Sequence, residues 1–475
     1  MTKIMLIQPP DPPKTQCLRD HMGYFGILKK GISLVKNDIL PPLKLAYSAS
    51  LLEKNGFEVN LIDAPALDYD VKKTLNIVER VQPDLVVIDS AGVTNSYDLY
   101  FAEQIKNITN TIVSVTGPHL TINPEIALQK KDIDIVIRGD IEYTILELSQ
   151  KLSEFKDVKG IAFKKDNKIV LTPKRPPIIN LDELPFPAFY LLPMKKYRFN
   201  LLKKTPFTTC LTSRGCPFAC IYCPYPQGYG EFWRGRTPEN VLDELIWLKN
   251  EFKIKSLLFR DQVPTFDMKR AEKIYDMMIK EGLDIEWRCE TRADRISKEL
   301  LIKMKKSGCV GVHFGVESGD PKILKNIGKD NIPIDLTKKI FREAKEIGLS
   351  TVGYFLIGLP GETKETIKKT VELAKDLNAD ESWFNSPVPY PGTKLYEIAK
   401  KNNWILTDDF EKYSGTEVVM RTDELSEDDI KEALRNAKIM FPGTSTNLLR
   451  LFFTKRGFLS TVSHPKMALK YAFKV

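Results

Sequence analysis

Five short apolar runs, KIMLIQ, EVNLID, DLVVID, TIVSVTG and DIVIRG, occupy the first 150 residues, each followed by a loop rich in Pro, Gly, Asp or Ser. Helical patterns separate them at Leu43–Lys54, Val71–Val81, Tyr97–Asn107, Pro124–Lys130 and Tyr143–Phe155. A strand that is apolar along its whole length, not at alternate positions, must be covered on both faces, which is the condition of a parallel sheet between two helical layers. Residues 1–155 are therefore expected to form a doubly wound, flavodoxin-like (Rossmann-type) α/β domain. Its ligand should lie beyond the carboxyl ends of the strands.

The segment KGIAFKKDNKIVLTP reads as a hairpin turning at Asp166-Asn167. Pro173 to Pro193 carries six prolines and no helical period, so residues 156–200 are expected to be hairpin and extended linker. A second alternation fills 201–400, with strands FTTCLTS, SLLFRD, IEWRCETR, GVHFGVES, TVGYFLIGLP and ESWFNSPVP and longer helices at 238–251, 267–281 and 334–347. Thr237 is placed to cap the first of these helices, with Pro238 at its first position. Six βα units suit a partial (β/α)6 TIM-like barrel, whose chemistry gathers at the C-terminal strand ends. Residues 401–475 are expected to be a small, mostly helical region.

Composition excludes several classes. With 43% hydrophobic and 28% charged residues, the 475-residue chain has the balance of a soluble globular protein. No run approaches about 18 apolar residues, the length of a membrane span. The start, MTKIMLIQPPDPP, lacks the features of a signal peptide and reads as a first strand, so a cytoplasmic protein is expected. Of the net charge of +9, eight charges fall between Ala433 and Val475, where there is no Asp or Glu. A diffuse nucleic-acid surface is not expected. The basic tail, with Phe452, Phe453, Phe458, Tyr471 and Phe473 among its cations, suits an anionic substrate, a membrane surface or a packed lid.

Seven cysteines are an odd number, and in a reducing compartment a disulfide framework is not expected. Cys17, Cys210, Cys289 and Cys309 are scattered, the last two reading as buried thiols. Cys216, Cys220 and Cys223 are spaced C-x3-C-x2-C in a loop after the first strand of the second unit. Soft sulfur ligands select zinc or an iron–sulfur cluster. A structural zinc site with Cys210 as fourth ligand is one reading, although zinc ligands usually come as close pairs. Three ligands on a four-iron cluster would leave one iron open to substrate.

With Tyr222 before its last cysteine, and a barrel strand before the loop, this segment resembles the radical S-adenosylmethionine (SAM) superfamily. The resemblance implies a [4Fe-4S] cluster on Cys216, Cys220 and Cys223, with SAM on the open iron and cleaved to a 5′-deoxyadenosyl radical. It also implies that Tyr222 packs beside the adenine. Asp261, in Arg260-Asp261-Gln262, would meet the SAM amino group, although Gln262 departs from the acidic residue usual there. Arg292 would pair with the SAM carboxylate, and Glu317, in Gly315-Val-Glu-Ser-Gly, with the ribose. For these three, ordinary strand-end charge is the competing reading. Gly358-Leu-Pro-Gly-Glu362 and Pro389-Tyr-Pro-Gly-Thr393 match turns of the same family.

Pro41-Pro-Leu-Lys-Leu-Ala, Gly56-Phe-Glu-Val, Asp63-Ala, Pro83-Asp-Leu-Val-Val, Gly117-Pro-His-Leu-Thr and Arg138-Gly-Asp-Ile-Glu142 fall in the order and spacing of a cobalamin-binding domain. Over roughly residues 1–400 the chain is thus similar to the cobalamin-dependent radical SAM enzymes. Loops at Ser90–Asn95, Gly117–Thr121 and Gly139–Glu142 end strands on the ligand side, which makes Ser90, Gly117, His119, Gly139 and Glu142 candidate corrin contacts. The Asp-x-His-x-x-Gly pattern is absent. The resemblance therefore implies cobalt without a protein histidine, and His119 is expected to hydrogen-bond within its loop. Period-two alternation puts His313 on one face with Gly315 and Glu317, where it would touch substrate or carry a proton; a core histidine is the alternative.

The activity implied is C-methylation of an unactivated carbon, one SAM supplying a methyl group through cobalamin and a second being cleaved at the cluster. Rearrangement or cyclisation without methyl transfer, and a non-catalytic cobalamin- or zinc-binding regulator, are the rival readings. A small-molecule, lipid or peptide substrate and a flavodoxin- or ferredoxin-type electron donor complete the expectation.

Overall fold

Strands that read as unbroken apolar runs are buried along their length: Ile4–Ile7 and Leu85–Ile88 have no exposed surface. In the computed structural model, which describes residues 2–19, 27–29 and 38–441, they sit at the centre of a seven-stranded sheet. Its order is Glu58–Asp63, Lys3–Gln8, Leu85–Asp89, Ile112–Thr116, Ile135–Ile137, Ile161–Lys165, Lys168–Leu171. The first five strands are parallel and follow the 2-1-3-4-5 order of a flavodoxin-like fold. Helices Leu43–Lys54 and Val71–Val81 have the limits read from the sequence. Helix Asn95–Lys106 starts earlier than expected, entered from a 3-10 turn at Gly92–Thr94, and Glu142–Gln150 ends earlier, before a 3-10 turn at Phe155–Asp157.

The hairpin turns on Asp166 (φ 49°) and Asn167 (φ 58°). Both are left-handed, as a two-residue turn of the I′ type requires. The hairpin adds to the first sheet, Ile135 pairing antiparallel with Phe163. The proline-rich stretch after it is not a free spacer. Leu181, Leu184, Ala188, Phe189 and Leu192 are buried in the main core, and Phe189 packs on Trp247 and Phe252 of a barrel helix. Ala188 N–H also donates to Ala46 O at 3.0 Å, so the segment joins the two sheets.

The second sheet has six parallel strands in chain order, Phe207–Cys210, Ser256–Phe259, Glu286–Thr291, Cys309–Glu317, Ser350–Leu356 and Glu381–Asn385. It is the partial (β/α)6 barrel, left open between its first and last strands. Helices Pro238–Phe252, Met268–Lys280 and Ile334–Ile347 cover it, and Thr237 Oγ1 caps the first by accepting from Asn240 N–H at 3.3 Å. The fourth strand is irregular: its register shifts between Gly315 and Glu317. The strict alternation expected to hold His313, Gly315 and Glu317 on one face is therefore broken at Val316. Beyond the barrel lie a bridge between Ile405 and Met420 and a helix, Glu427–Met440. The basic aromatic tail, Asn447–Val475, lies outside the described residues. Among the described residues no helix is long and apolar enough to cross a membrane.

Candidate active site at the cysteine loop

The cysteine loop leaves the first barrel strand and is fixed before the first cysteine is reached. Asp261, at the end of the second strand, accepts from Thr212 N–H (3.0 Å), Thr212 Oγ1 (2.7 Å) and Ser213 Oγ (2.5 Å). Gly215 follows at φ +81°, and a Cβ there would lie 2.1 Å from Phe232 O, so no other residue fits the turn. Cys216 N–H then bonds Gly230 O and Cys223 N–H bonds Cys220 O. Cys216, Cys220 and Cys223 are free and partly exposed. Burial pushes the Cys216 and Cys223 thiols up, and the neighbouring cysteine sulfurs raise both further. Such thiols become thiolates when a metal centre supplies positive charge.

Among the described residues no three His, Cys, Asp or Glu side chains close on a single ion. The zinc site with Cys210 is not formed: that thiol is fully buried in its strand and bonds Glu244. Three free thiols on one short loop fit a four-iron cluster, in which each thiolate attaches to a different iron.

Around the loop, Arg292 lies over the Phe218 ring at 3.6 Å with Nη1 3.9 Å from Cys220 Sγ. Its Nε and Nη2 are held by Asp294 (2.9 and 3.0 Å), and Nη2 also by Asn331 at 3.0 Å. Glu317, at φ +66°, occupies backbone space that costs a non-glycine residue about 1–3 kcal/mol. It accepts from Lys329 Nζ at 2.7 Å and from the Tyr222 hydroxyl. Tyr222, Arg292 and Glu317 are thus brought to the cysteines, and buried Lys329, which the sequence reading missed, comes with them. Asp261 is a correction. Its carboxylate is filled by loop donors, so it orders the loop and is not presented to an amino group.

The N-terminal candidates are largely redirected. Ser90 Oγ is spent on Asn95 and Asp98 (3.1 and 3.2 Å), within a buried network anchored by Arg19 on Asp98. At Gly117 a Cβ would meet Ser90 O at 2.5 Å, so the close approach of the two loop backbones requires glycine there. Glu142 is fully buried and pairs with Arg214 at 2.7 Å. His119 does not make the loop hydrogen bond expected of it. Stacked on Phe410 at 5.9 Å, it has neither ring nitrogen partnered, and burial lowers its pKa to about 4. An unsatisfied donor–acceptor pair on the ligand side of the sheet suits a ligand rich in amide groups, as a corrin is. Gly139, at φ +79°, has open space beside it.

Inside the barrel His313 Nδ1 lies 2.7 Å from Tyr354 OH, and Tyr354 OH donates to Glu290 Oε1 at 3.3 Å. Glu290 Oε1 also accepts from Arg260 (2.9 Å), which reaches Tyr225 OH at 3.4 Å. Burial and the guanidinium of Arg288 drive the His313 pKa well down. The shift favours the neutral imidazole, held by its bond to Tyr354. Glu290 and Arg260 were not singled out from the sequence; only their alternation with Arg292 and Asp261 at strand ends could have drawn attention to them.

A cavity of about 690 Å³ joins the two units. Thr121, Ile122 and Gly139 line its sheet side, and Cys220, Cys223 and Gly228 line the other. The carboxyl ends of the first sheet therefore look directly at the cysteine loop.

Comparison with known proteins agrees with this geometry. Residues 30–149 match the B12 binding domain model and residues 210–374 the radical SAM superfamily model. The chain is 39% identical over 428 residues to an uncharacterised methyltransferase of Pyrococcus horikoshii, covering 88% of this chain and 91% of that protein. It is 29% identical over 405 residues to the anaerobic magnesium-protoporphyrin IX monomethyl ester cyclase of Rubrivivax gelatinosus, covering 81% and 70%. Among solved structures, the cobalamin-dependent SAM radical enzyme OxsB, with aqua-cobalamin and SAM bound, superposes with a TM-score of 0.74 at 15% identity, covering 98% of this chain and 71% of that one. The fold and site define a radical SAM enzyme carrying a B12-binding domain. The chain belongs to the cobalamin-dependent radical SAM enzymes, and its cofactors are a [4Fe-4S] cluster, SAM and cobalamin.

Proposed function

We propose that the protein is a C-methyltransferase acting on an unactivated carbon of a small-molecule, lipid or peptide substrate. The observation that carries this reading is the shared cavity, with the B12-binding loops on one wall and the cluster cysteines on the other; the methyltransferase relative supports it. When bound, the cofactors supply the radical that activates the substrate and the methyl group that replaces its hydrogen. Cys216, Cys220 and Cys223 would hold the cluster. Arg292 and Lys329 bring two cations beside these sulfurs, favouring anionic groups there. Tyr222 and Glu317, locked together, would meet the adenosine end of SAM. The hydrogen-bonded chain from His313 through Tyr354, Glu290 and Arg260 to Tyr225 fixes these side chains in place, which suits orienting a substrate. Electrons would come from a flavodoxin- or ferredoxin-type donor.

The test is stoichiometry per product formed, in the reconstituted, reduced protein incubated with SAM and substrate. Release of S-adenosylhomocysteine beside 5′-deoxyadenosine is expected. The cyclase relative favours a second reading, radical rearrangement or cyclisation, and 5′-deoxyadenosine with no S-adenosylhomocysteine would establish it instead.

A further inference from the structure

The cysteine loop is closed at its base by a two-residue ribbon in which Arg214 stands directly opposite Arg234. Like charges facing each other across a strand pair repel, and both guanidiniums are buried. Their counter-charges come from the other sheet. Arg214 Nη2 bonds Glu142 at 2.7 Å and Arg234 Nη1 bonds Asp140 at 2.8 Å. These two acids flank Ile141 in the loop that ends the last parallel strand of the B12-binding domain. Asp140 also accepts from Ile178 N–H at 3.0 Å, while Arg234 donates to Ile178 O at 2.6 Å. Arg214 is held between the rings of Tyr47 (5.2 Å), from the first unit, and Tyr229 (4.6 Å), from the cysteine loop.

Buried ion pairs contribute little net stability, because desolvation offsets their attraction. Each pair is instead a tie between the units, one charge-assisted hydrogen bond from a ribbon guanidinium to a carboxylate of the other sheet. Arg214 precedes Cys216 by two residues, and Asp140 follows Gly139 by one, so the joint grips both walls of the cavity next to the groups that would hold the cofactors. We infer that Asp140 and Glu142, through Arg234 and Arg214, are positioning residues that set the separation of the corrin and the iron–sulfur cluster. This rests on both cofactors being present and not on the methyl-transfer reading, so either can fail alone.

The test is the dipolar coupling between cob(II)alamin and the reduced cluster, read by pulsed EPR on reconstituted full-length protein. The double variant Arg214→Met/Glu142→Met removes one pair without stranding a charge. Iron and corrinoid content per chain are expected to stay as in the wild type, while the cobalt–cluster distance distribution broadens or shifts. A distribution identical to the wild type would overturn the inference. Should that variant fail to fold, Glu142→Asp keeps the charge but shortens its reach by one methylene. The distance is then expected to shift, and an unchanged distance would overturn the inference equally.

Discussion

Two buried carboxyls give the molecule a pH dependence of its own. Burial raises Asp63 to about 7, despite its bond from Tyr197, and raises Glu362, in the Gly358 turn, to about 7. In the unfolded chain both ionise near their ordinary values of 3.8 and 4.5. Between those values and pH 7 the unfolded state sheds protons that the folded state keeps, so stability falls as pH rises and levels off above 7. Each group contributes a slope of about 1.4 kcal/mol per pH unit in that window. Melting curves from pH 5 to 8 are expected to flatten in Asp63→Asn/Glu362→Gln. Glycines give a second contrast. A Cβ on Gly117 would strike Ser90 O at 2.5 Å, whereas on Gly315 it would strike the Glu317 carboxylate at 2.5 Å and Lys329 Nζ at 2.7 Å. Backbone cannot yield and side chains can. Gly117→Ala should therefore lower the melting temperature more, while Gly315→Ala should spare the fold but weaken SAM binding, measured by calorimetry on the reconstituted protein. The cysteine spacing was legible in the sequence because ligands to one centre must cluster along a loop. Lys329 and Glu290 were not, because their partners Glu317 and Arg260 lie 12 and 30 residues away and no local pattern marks them.

At the scale of elements, hydrophobic periodicity carried the prediction. Strands covered on both faces stood out, and Leu43–Lys54, Val71–Val81 and Ile334–Ile347 have the limits the pattern set. It failed where a local signal met a long-range one. The proline-rich stretch has no period, yet Phe189 and Leu192 are buried because the two sheets leave a seam for them. The fourth barrel strand alternates on paper, yet a register shift turns Glu317 toward Tyr222. Two substitutions probe this scale. Thr237→Ala removes the side-chain cap of Pro238–Phe252 and should cost about 1 kcal/mol in denaturant titration. Asn167, at φ 58°, should tolerate glycine without loss, whereas Asn167→Val should cost about 1–2 kcal/mol by forcing a β-branched residue into left-handed space.

Across the whole molecule, the order in which the joint is made follows from the order of the chain. Glu142 and Asp140 wait for Arg214 and Arg234, which lie 72 and 94 residues further on. At synthesis rates of about 5–20 residues per second, that delay is roughly 4 to 19 s. The strands of the first sheet are all synthesised by Leu171, while the two acids still lack their arginine partners. For those seconds the cysteine loop that lines the other side of the cavity has not yet been made. Closure of the cavity is thus tied to completion of the second unit, since neither arginine that pairs with the rim exists before it.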